Sequence, residues 1–126
     1  MSKRKFDKFL ESVRKVFGKN FLSEMTNAYR EEPRGLFENK SRYVVKPTST
    51  KQVSDFMSLS TKYSIPVVPR AGGTGLVGGQ MASHEDWITM SLEKMDKIKN
   101  FSRINQSVEV EAGVNLETLQ EFVKQK

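Results

Sequence analysis

Residues 70–80 read Arg-Ala-Gly-Gly-Thr-Gly-Leu-Val-Gly-Gly-Gln, five glycines in eleven positions directly after an extended run. Glycine lets main-chain N–H groups approach a ligand with no Cβ in the way. Successive N–H groups in such a turn form a concave nest that suits phosphate oxygens. Thr74 adds a hydroxyl donor, and Leu76 and Val77 offer apolar contacts. The same residues also read as a tight structural turn, so the glycines by themselves leave two meanings open.

Gly73-Thr74-Gly75-Leu76-Val77-Gly78 spells G-x-G-x-x-G, and Glu93 lies 20 residues beyond Gly73. On pattern alone that is a dinucleotide fingerprint. Spacing excludes it, because a Rossmann unit has a crossover helix between fingerprint and next strand, and such a crossover takes about a dozen residues or more. Only residues 79–86 separate Gly78 from Trp87, and Gln80, Ser83, His84, Glu85 and Asp86 leave them no apolar face. Walker A fails too, since no Lys-Ser/Thr pair follows the glycines. The chain has no Cys and a single His, His84, which excludes thiol catalysis, disulfide scaffolds, cysteine-ligated metals and a histidine-rich metal centre. His84 with Glu85 and Asp86 reads as an ordinary polar loop.

The elements that must hold this loop follow from periodicity. Phe6, Phe9, Leu10, Val13, Val16 and Phe17 recur at spacings of three and four, one stripe of an amphipathic helix that Gly18 stops. Phe21 to Phe37 is less regular, with Leu22, Met25, Ala28 and Tyr29 supporting a short helix before Pro33. Tyr43-Val44-Val45 is a strand, Thr48-Ser49-Thr50 supplies N-cap oxygens, and a helix over about 51–63 presents Val53, Phe56, Met57, Leu59 and Tyr63. Extended structure resumes at 65–69, which makes a compact parallel βαβ unit with the loop at its far end. Trp87 to Leu92 is a second extended run and Ile98 to Phe101 a third; 107–112 alternates at period two, one face buried and one wet. Gly113 turns the chain, and Leu116, Leu119, Gln120 and Val123 line a last helix that runs to the end of the sequence without a cap.

With 126 residues, 37% hydrophobic and 10% aromatic, the chain has material for one modest core. No stretch approaches the roughly 18 apolar residues of a membrane span, nor does an apolar signal-peptide core appear; the expected location is cytoplasmic. The 21 Lys+Arg against 15 Asp+Glu give +6. Almost all of that excess sits in residues 1–20, where Lys3, Arg4, Lys5, Lys8, Arg14, Lys15 and Lys19 face only Asp7 and Glu11. A solvated helix face is the plain reading. A basic end also leaves room for peripheral membrane contact or a polyanionic or acidic protein partner, but no ladder of aromatics interleaves with it, so nucleic acid is not expected.

Val67 to Gly79 as a run closely resembles the signature loop of the FAD-binding domain in the vanillyl-alcohol oxidase/p-cresol methylhydroxylase (PCMH) superfamily. Tyr43-Val44-Val45-Lys46-Pro47 with Thr50 and Val53 resembles that family's first strand and helix. Trp87 to Ile98 is similar to the segment after the loop, and Val108, Val110, Ala112-Gly113-Val114 and Leu116 to Leu119 to the next strand and helix. Within the superfamily the resemblance is to flavoproteins of the D-lactate and D-2-hydroxyglutarate dehydrogenase type, and Tyr29 to Lys40 resembles the segment leading into their domain.

The resemblance implies an α+β fold, not Rossmann: a small mixed sheet with a βαβ unit and packed helices, the first lobe of a PCMH-type FAD-binding domain. Residues 1–40 would form an N-terminal helical segment and 41–126 the first lobe, truncated at its C-terminal end. It implies non-covalent FAD, since the loop has no His where family members attach the flavin. Pro69, Arg70, Ala71, Gly72, Gly73, Thr74 and Gly75 would wrap the diphosphate, with Leu76 and Gly79 toward the ribityl chain or flavin and Gln80 close behind. Arg70 reads either as a diphosphate partner or as an outward surface arginine; Ala71 stands where many members have Gly, and its N–H still serves if φ is negative. Gly78 reads as a turn requirement. The implied activity is oxidation of a D-2-hydroxy acid to the 2-oxo acid, with substrate groups supplied by the remainder of the flavoprotein, a second lobe and a cap domain. The chain alone would then catalyse nothing. The alternative is a non-enzymatic binding module or remnant fragment that uses its basic N-terminus.

Overall fold

The apolar stripe at the start of the chain closes the core of the domain. In the computed structural model, which describes residues 3–126, helix α1 (Lys3–Phe17) buries Phe6, Phe9, Leu10 and Val13. Each such side chain contributes about 1.5–3 kcal/mol when fully removed from water, so these four are committed to the core, whereas Val16, expected in the same stripe, is exposed beside Arg14 and Lys15 in the last turn. Met1 and Ser2 of the expected N-terminal segment lie outside the described residues. Gly18 ends α1 at φ +84°, its N–H donating to the Arg14 carbonyl at 3.0 Å.

After α1 come β1 (Leu22–Glu24), the one-turn α2 (Asn27–Arg30), β2 (Tyr43–Val45), α3 (Thr50–Tyr63), β3 (Val67–Arg70) and β4 (Ile88–Ser91). The four strands form a mixed sheet in the order β1-β2-β4-β3. β4 runs parallel to both neighbours, with Val45 and Pro69 opposite Met90, while β1 is antiparallel to β2. One expectation changes here. Leu22 begins an edge strand rather than belonging to a helix, because only one of the strand's three residues is buried and so short an element carries no period. β2 and β3 are parallel as expected but not adjacent, since β4 is inserted between them.

Tyr43, Val45, Val67, Ile88 and Met90 share one sheet face under α1 and α3. Phe9 meets Phe56 at 5.9 Å between ring centroids, and Ser12 shares a 3.0 Å hydrogen bond with Tyr63. Ser49 caps α3, its hydroxyl accepting from the Gln52 N–H at 3.2 Å; Met57 turns outward instead of joining the apolar face. The other sheet face carries Thr89, covered by loop residues. Buried Asn39 donates to Thr89 Oγ1 at 2.8 Å and accepts from the N–H groups of Ser41 and Ala82.

A second, smaller unit follows: the antiparallel hairpin β5 (Ile98–Ser102) and β6 (Ser107–Val110), then α4 (Leu116–Lys124), which ends two residues before the chain does. Phe101 meets Phe122 edge-on at 6.1 Å. The alternation at 107–112 gives β6, but its apolar side is not sealed: Val110, Leu116 and Val123 remain exposed, because α4 alone is too narrow to cover the hairpin. Gly113 N–H donates to Met95 O at 2.8 Å where the hairpin leaves the segment after β4, and Glu111 N–H to Lys97 O at 2.9 Å extends the hairpin ladder by one step. No helix among the described residues is long and apolar enough to cross a membrane.

Candidate functional site

The carboxyl ends of β2, β4 and β3 lie side by side, and the glycine loop leaves the last of them. Ligands in open parallel sheets collect at this edge, where connections diverge. β3 and β4 are joined by residues 71–87 with no helix between them, so the loop itself is the crossover. The absence of a helix after the G-x-G-x-x-G run is as the spacing predicts.

Inside the loop, carbonyls are engaged and amides are not. Buried Gln80 donates its side-chain amide to Gly75 O at 2.9 Å and to Gly73 O at 3.4 Å; Met81 N–H donates to Gly78 O at 3.1 Å; Arg34 Nη2 donates to Leu76 O at 2.6 Å. Among the described residues, no carbonyl or side chain accepts from the N–H groups of Ala71 to Gly79. Four loop carbonyls are thus occupied, while a run of amide donors is left without an acceptor in a mostly exposed stretch, the polarity an anion requires.

Two loop glycines have left-handed geometry, Gly73 at φ +70° and Gly78 at φ +77°. The Gly78 turn is thus obligatory, and the Phe37 ring lies 3.0 Å from where its Cβ would be. Ala71 has no positive φ, so its N–H stays available as expected. Arg70 does not face outward. Its guanidinium folds back over Gly73, lies 5.2 Å above the Tyr29 ring and donates to Ala28 O at 3.0 Å, while its Nε is buried without a partner among the described residues. A guanidinium with an orphaned donor beside a row of unpaired N–H groups fits a diphosphate.

Sequence reasoning missed the cluster on the other side of the loop. Lys46 follows β2 and Glu93 follows β4; their side chains approach to 3.7 Å, and the Tyr29 hydroxyl donates to the Glu93 carboxylate. Their position just after parallel strands was the available signal. Hydrogen bonding with Tyr29 is the main cause that holds Glu93 below its ordinary 4.5, and also the main cause that raises Lys46 above 10.5. Glu93 thus stabilises the fold fully above its ordinary range, and this is lost as pH falls through its depressed value. Lys46 stabilises fully below 10.5, and this is lost as pH rises through its raised value. In Tyr29→Phe the Glu93 carboxyl is expected to titrate at higher pH than in the wild type, read from its side-chain carbon resonance by NMR; an unmoved midpoint would remove Tyr29 as the cause. His84 is an exposed loop residue whose Nδ1 accepts from the Asp86 N–H, and among the described residues no group of three acidic or imidazole side chains is placed to hold a metal.

A family model described as FAD binding domain matches residues 41–126. A probable D-2-hydroxyglutarate dehydrogenase of Oryza sativa subsp. indica is 37% identical over 73% of this chain and 16% of its own length. D-lactate dehydrogenase [cytochrome] 1 of Saccharomyces cerevisiae is 28% identical over 94% of this chain and 22% of its own. The chain therefore spans about a fifth or less of these relatives. Both are mitochondrial by name, as are relatives from Schizosaccharomyces pombe and Arabidopsis thaliana, and this corrects the expected cytoplasmic location. The solved structure of p-cresol methylhydroxylase with substrate bound superposes with a TM-score of 0.81 over 99% of this chain and 25% of its own, at 15% identity, a likeness of fold.

Proposed function

Because the chain belongs to the FAD-binding domain family of the PCMH type, related to D-lactate and D-2-hydroxyglutarate dehydrogenases, we propose that it is the first lobe of a flavoenzyme that oxidises a D-2-hydroxy acid to the 2-oxo acid. Its cofactor is FAD held without a covalent bond; when bound, the flavin supplies the two-electron chemistry. The chain's own residues bind and orient. The observation that supports this most strongly is the row of N–H groups from Ala71 to Gly79 that have no acceptor among the described residues.

Pro69 and Arg70 end β3 and deliver the chain into the loop, and Ala71, Gly72, Gly73, Thr74 and Gly75 wrap the diphosphate with backbone donors and the Thr74 hydroxyl. Arg70 brings a cationic side chain that already lies against Gly73. Leu76 and Gly79 continue toward the ribityl and flavin side, and Gln80 serves from beneath by occupying the carbonyls of Gly73 and Gly75. Residues 41–126 make up the lobe, and the segment 1–40 fastens onto it through α1. The exposed apolar side of the hairpin and α4 suits coverage by the remainder of a flavoprotein, which would also carry the substrate groups. This chain by itself then binds cofactor but turns over no hydroxy acid.

Isothermal titration of the chain with FAD tests the reading. Saturable binding that ADP competes away and adenosine does not is the expected result, since the loop recognises a diphosphate. A folded chain that gives no FAD binding, or one that adenosine competes as well as ADP, would overturn it.

A further inference from the structure

The family match begins at residue 41, yet three of the contacts that shape the glycine loop come from residues before it. Arg34 Nη2 donates to Leu76 O at 2.6 Å, across 42 positions of sequence. The Phe37 ring packs on Gly78, within 3.0–3.3 Å of where a Cβ would stand. Ala28 O accepts from Arg70 Nη2 at 3.0 Å. This segment is itself held firmly. Asn39 Nδ2 donates to Tyr29 O at 3.1 Å and reaches Thr89 on the sheet, and Tyr29 is fastened to Glu93. Between these anchors, the turn carrying Arg34 is closed by Gly35 at φ +65° and by the carboxylate of buried Glu32, which accepts from the Leu36 N–H.

From these contacts we infer that residues 28–37 are a brace that pre-forms the diphosphate-binding loop, with Arg34 and Phe37 as positioning residues for its crest at Leu76 to Gly78. A loop rich in glycine loses much backbone freedom when it closes on a ligand. A loop already ordered before the ligand arrives loses less, and that difference appears as affinity. Arg34 acts through the Leu76 carbonyl: engaging that acceptor fixes the peptide plane and aims the following N–H outward. The inference rests on the FAD reading for its ligand only; the ordering of the loop is a property of the free chain.

The experiment compares wild type with Arg34→Ala, Arg34→Gln, Arg34→Lys and Phe37→Ala in the full 126-residue chain, with circular dichroism to confirm folding. ¹⁵N relaxation gives the order of the Leu76, Val77, Gly78 and Gly79 amides without ligand, and titration gives FAD affinity. Arg34→Ala is expected to lower the order parameters at 76–79 and weaken FAD roughly three- to tenfold, the range of one lost hydrogen bond. Arg34→Gln keeps an N–H donor without the charge and is expected to restore most of both; Phe37→Ala is expected to loosen Gly78 most. Unchanged order in Arg34→Ala would overturn the brace. So would a pattern in which Arg34→Lys binds normally and Arg34→Gln does not, because that would make Arg34 a charge acting on the anion. If wild type fails to bind FAD, the cofactor reading falls, while the order parameters still decide for or against the brace.

Discussion

A carboxylate introduced at Gly72 is expected to abolish FAD binding while leaving the chain as stable as before. Gly72 lacks left-handed geometry, and the nearest atoms to an added Cβ belong to Thr74 at 3.9–4.0 Å, ordinary contact distance. Aspartate therefore fits without strain. Its charge would sit among the unpaired N–H groups and neutralise the nest from within. Two unit charges about 4 Å apart repel by about 1 kcal/mol in water and about 4 kcal/mol at an effective dielectric of about 20. Against the two charges of a diphosphate even the lower figure doubles to about 2 kcal/mol, a loss of about 30-fold or more. Gly72→Asn is the matched control, similar in shape and uncharged, and is expected to keep much of the affinity. Gly73→Asp is a poorer probe: φ is +70° there, and its Cβ would fall 2.1 Å from Arg70 Nη2, so backbone strain and a displaced guanidinium would be mixed with the charge effect. Equal affinity for wild type and Gly72→Asp would show that the diphosphate does not sit in this loop.

Gly113→Ala is expected to be the most damaging single methyl in the chain. The added carbon would stand 1.9 Å from Leu92 O and 2.8 Å from both Leu92 C and Met95 O. These are backbone atoms, with no flexible side-chain end to swing away, so residues 92–95 must move or the 111–113 strand exit must. Forced overlap of this kind costs about 3 kcal/mol, a large part of the 5–15 kcal/mol typical of a domain. The damage would spread, because Leu92 N–H donates to Arg70 O at 2.9 Å, at the root of the glycine loop. Urea unfolding is expected to show a midpoint well below wild type, with Gly113→Ala also weakening FAD. A midpoint within error of wild type would mean that the two units are not joined as closely as the Gly113–Met95 hydrogen bond indicates.

Local chemistry made much of this architecture legible in the sequence. Tyr43 to Val45 reads as a strand because β-branched residues are closed off by Pro47, and it is β2. Ser49 reads as a cap because its hydroxyl can satisfy an otherwise orphaned amide, and it does so. The glycine loop was visible as a nest, and its spacing excluded a crossover helix. What stayed hidden is what distance in sequence hides. The insertion of β4 between β2 and β3 is decided by tertiary packing, and no local pattern encodes it. Arg34 and Phe37 reach the loop through two irregular segments, where neither period nor motif signals a contact. Gln80 stood near the cofactor in the sequence reading, but its burial and its grip on the carbonyls of Gly73 and Gly75 come from side-chain geometry alone. The half-exposed β6 has the opposite cause. Its alternation promises a buried face, and the described residues supply only α4 to cover it.

The strand order also imposes a timetable. Among the described residues β3 has no strand partner but β4, and β2 shares with it only that same strand. As the chain emerges from a ribosome, β2, α3 and β3 are complete by Arg70, yet no strand hydrogen bonds bridge the two parallel strands until the whole glycine loop and then Ile88 to Ser91 have followed. During that interval the edges of β2 and β3 that will meet β4 are bare, and unpaired strand edges with exposed apolar surface are where nascent chains aggregate or recruit chaperones. The loop that separates β3 from β4 in sequence therefore sets the length of the vulnerable period, and every residue added to it would delay the one strand that closes the sheet.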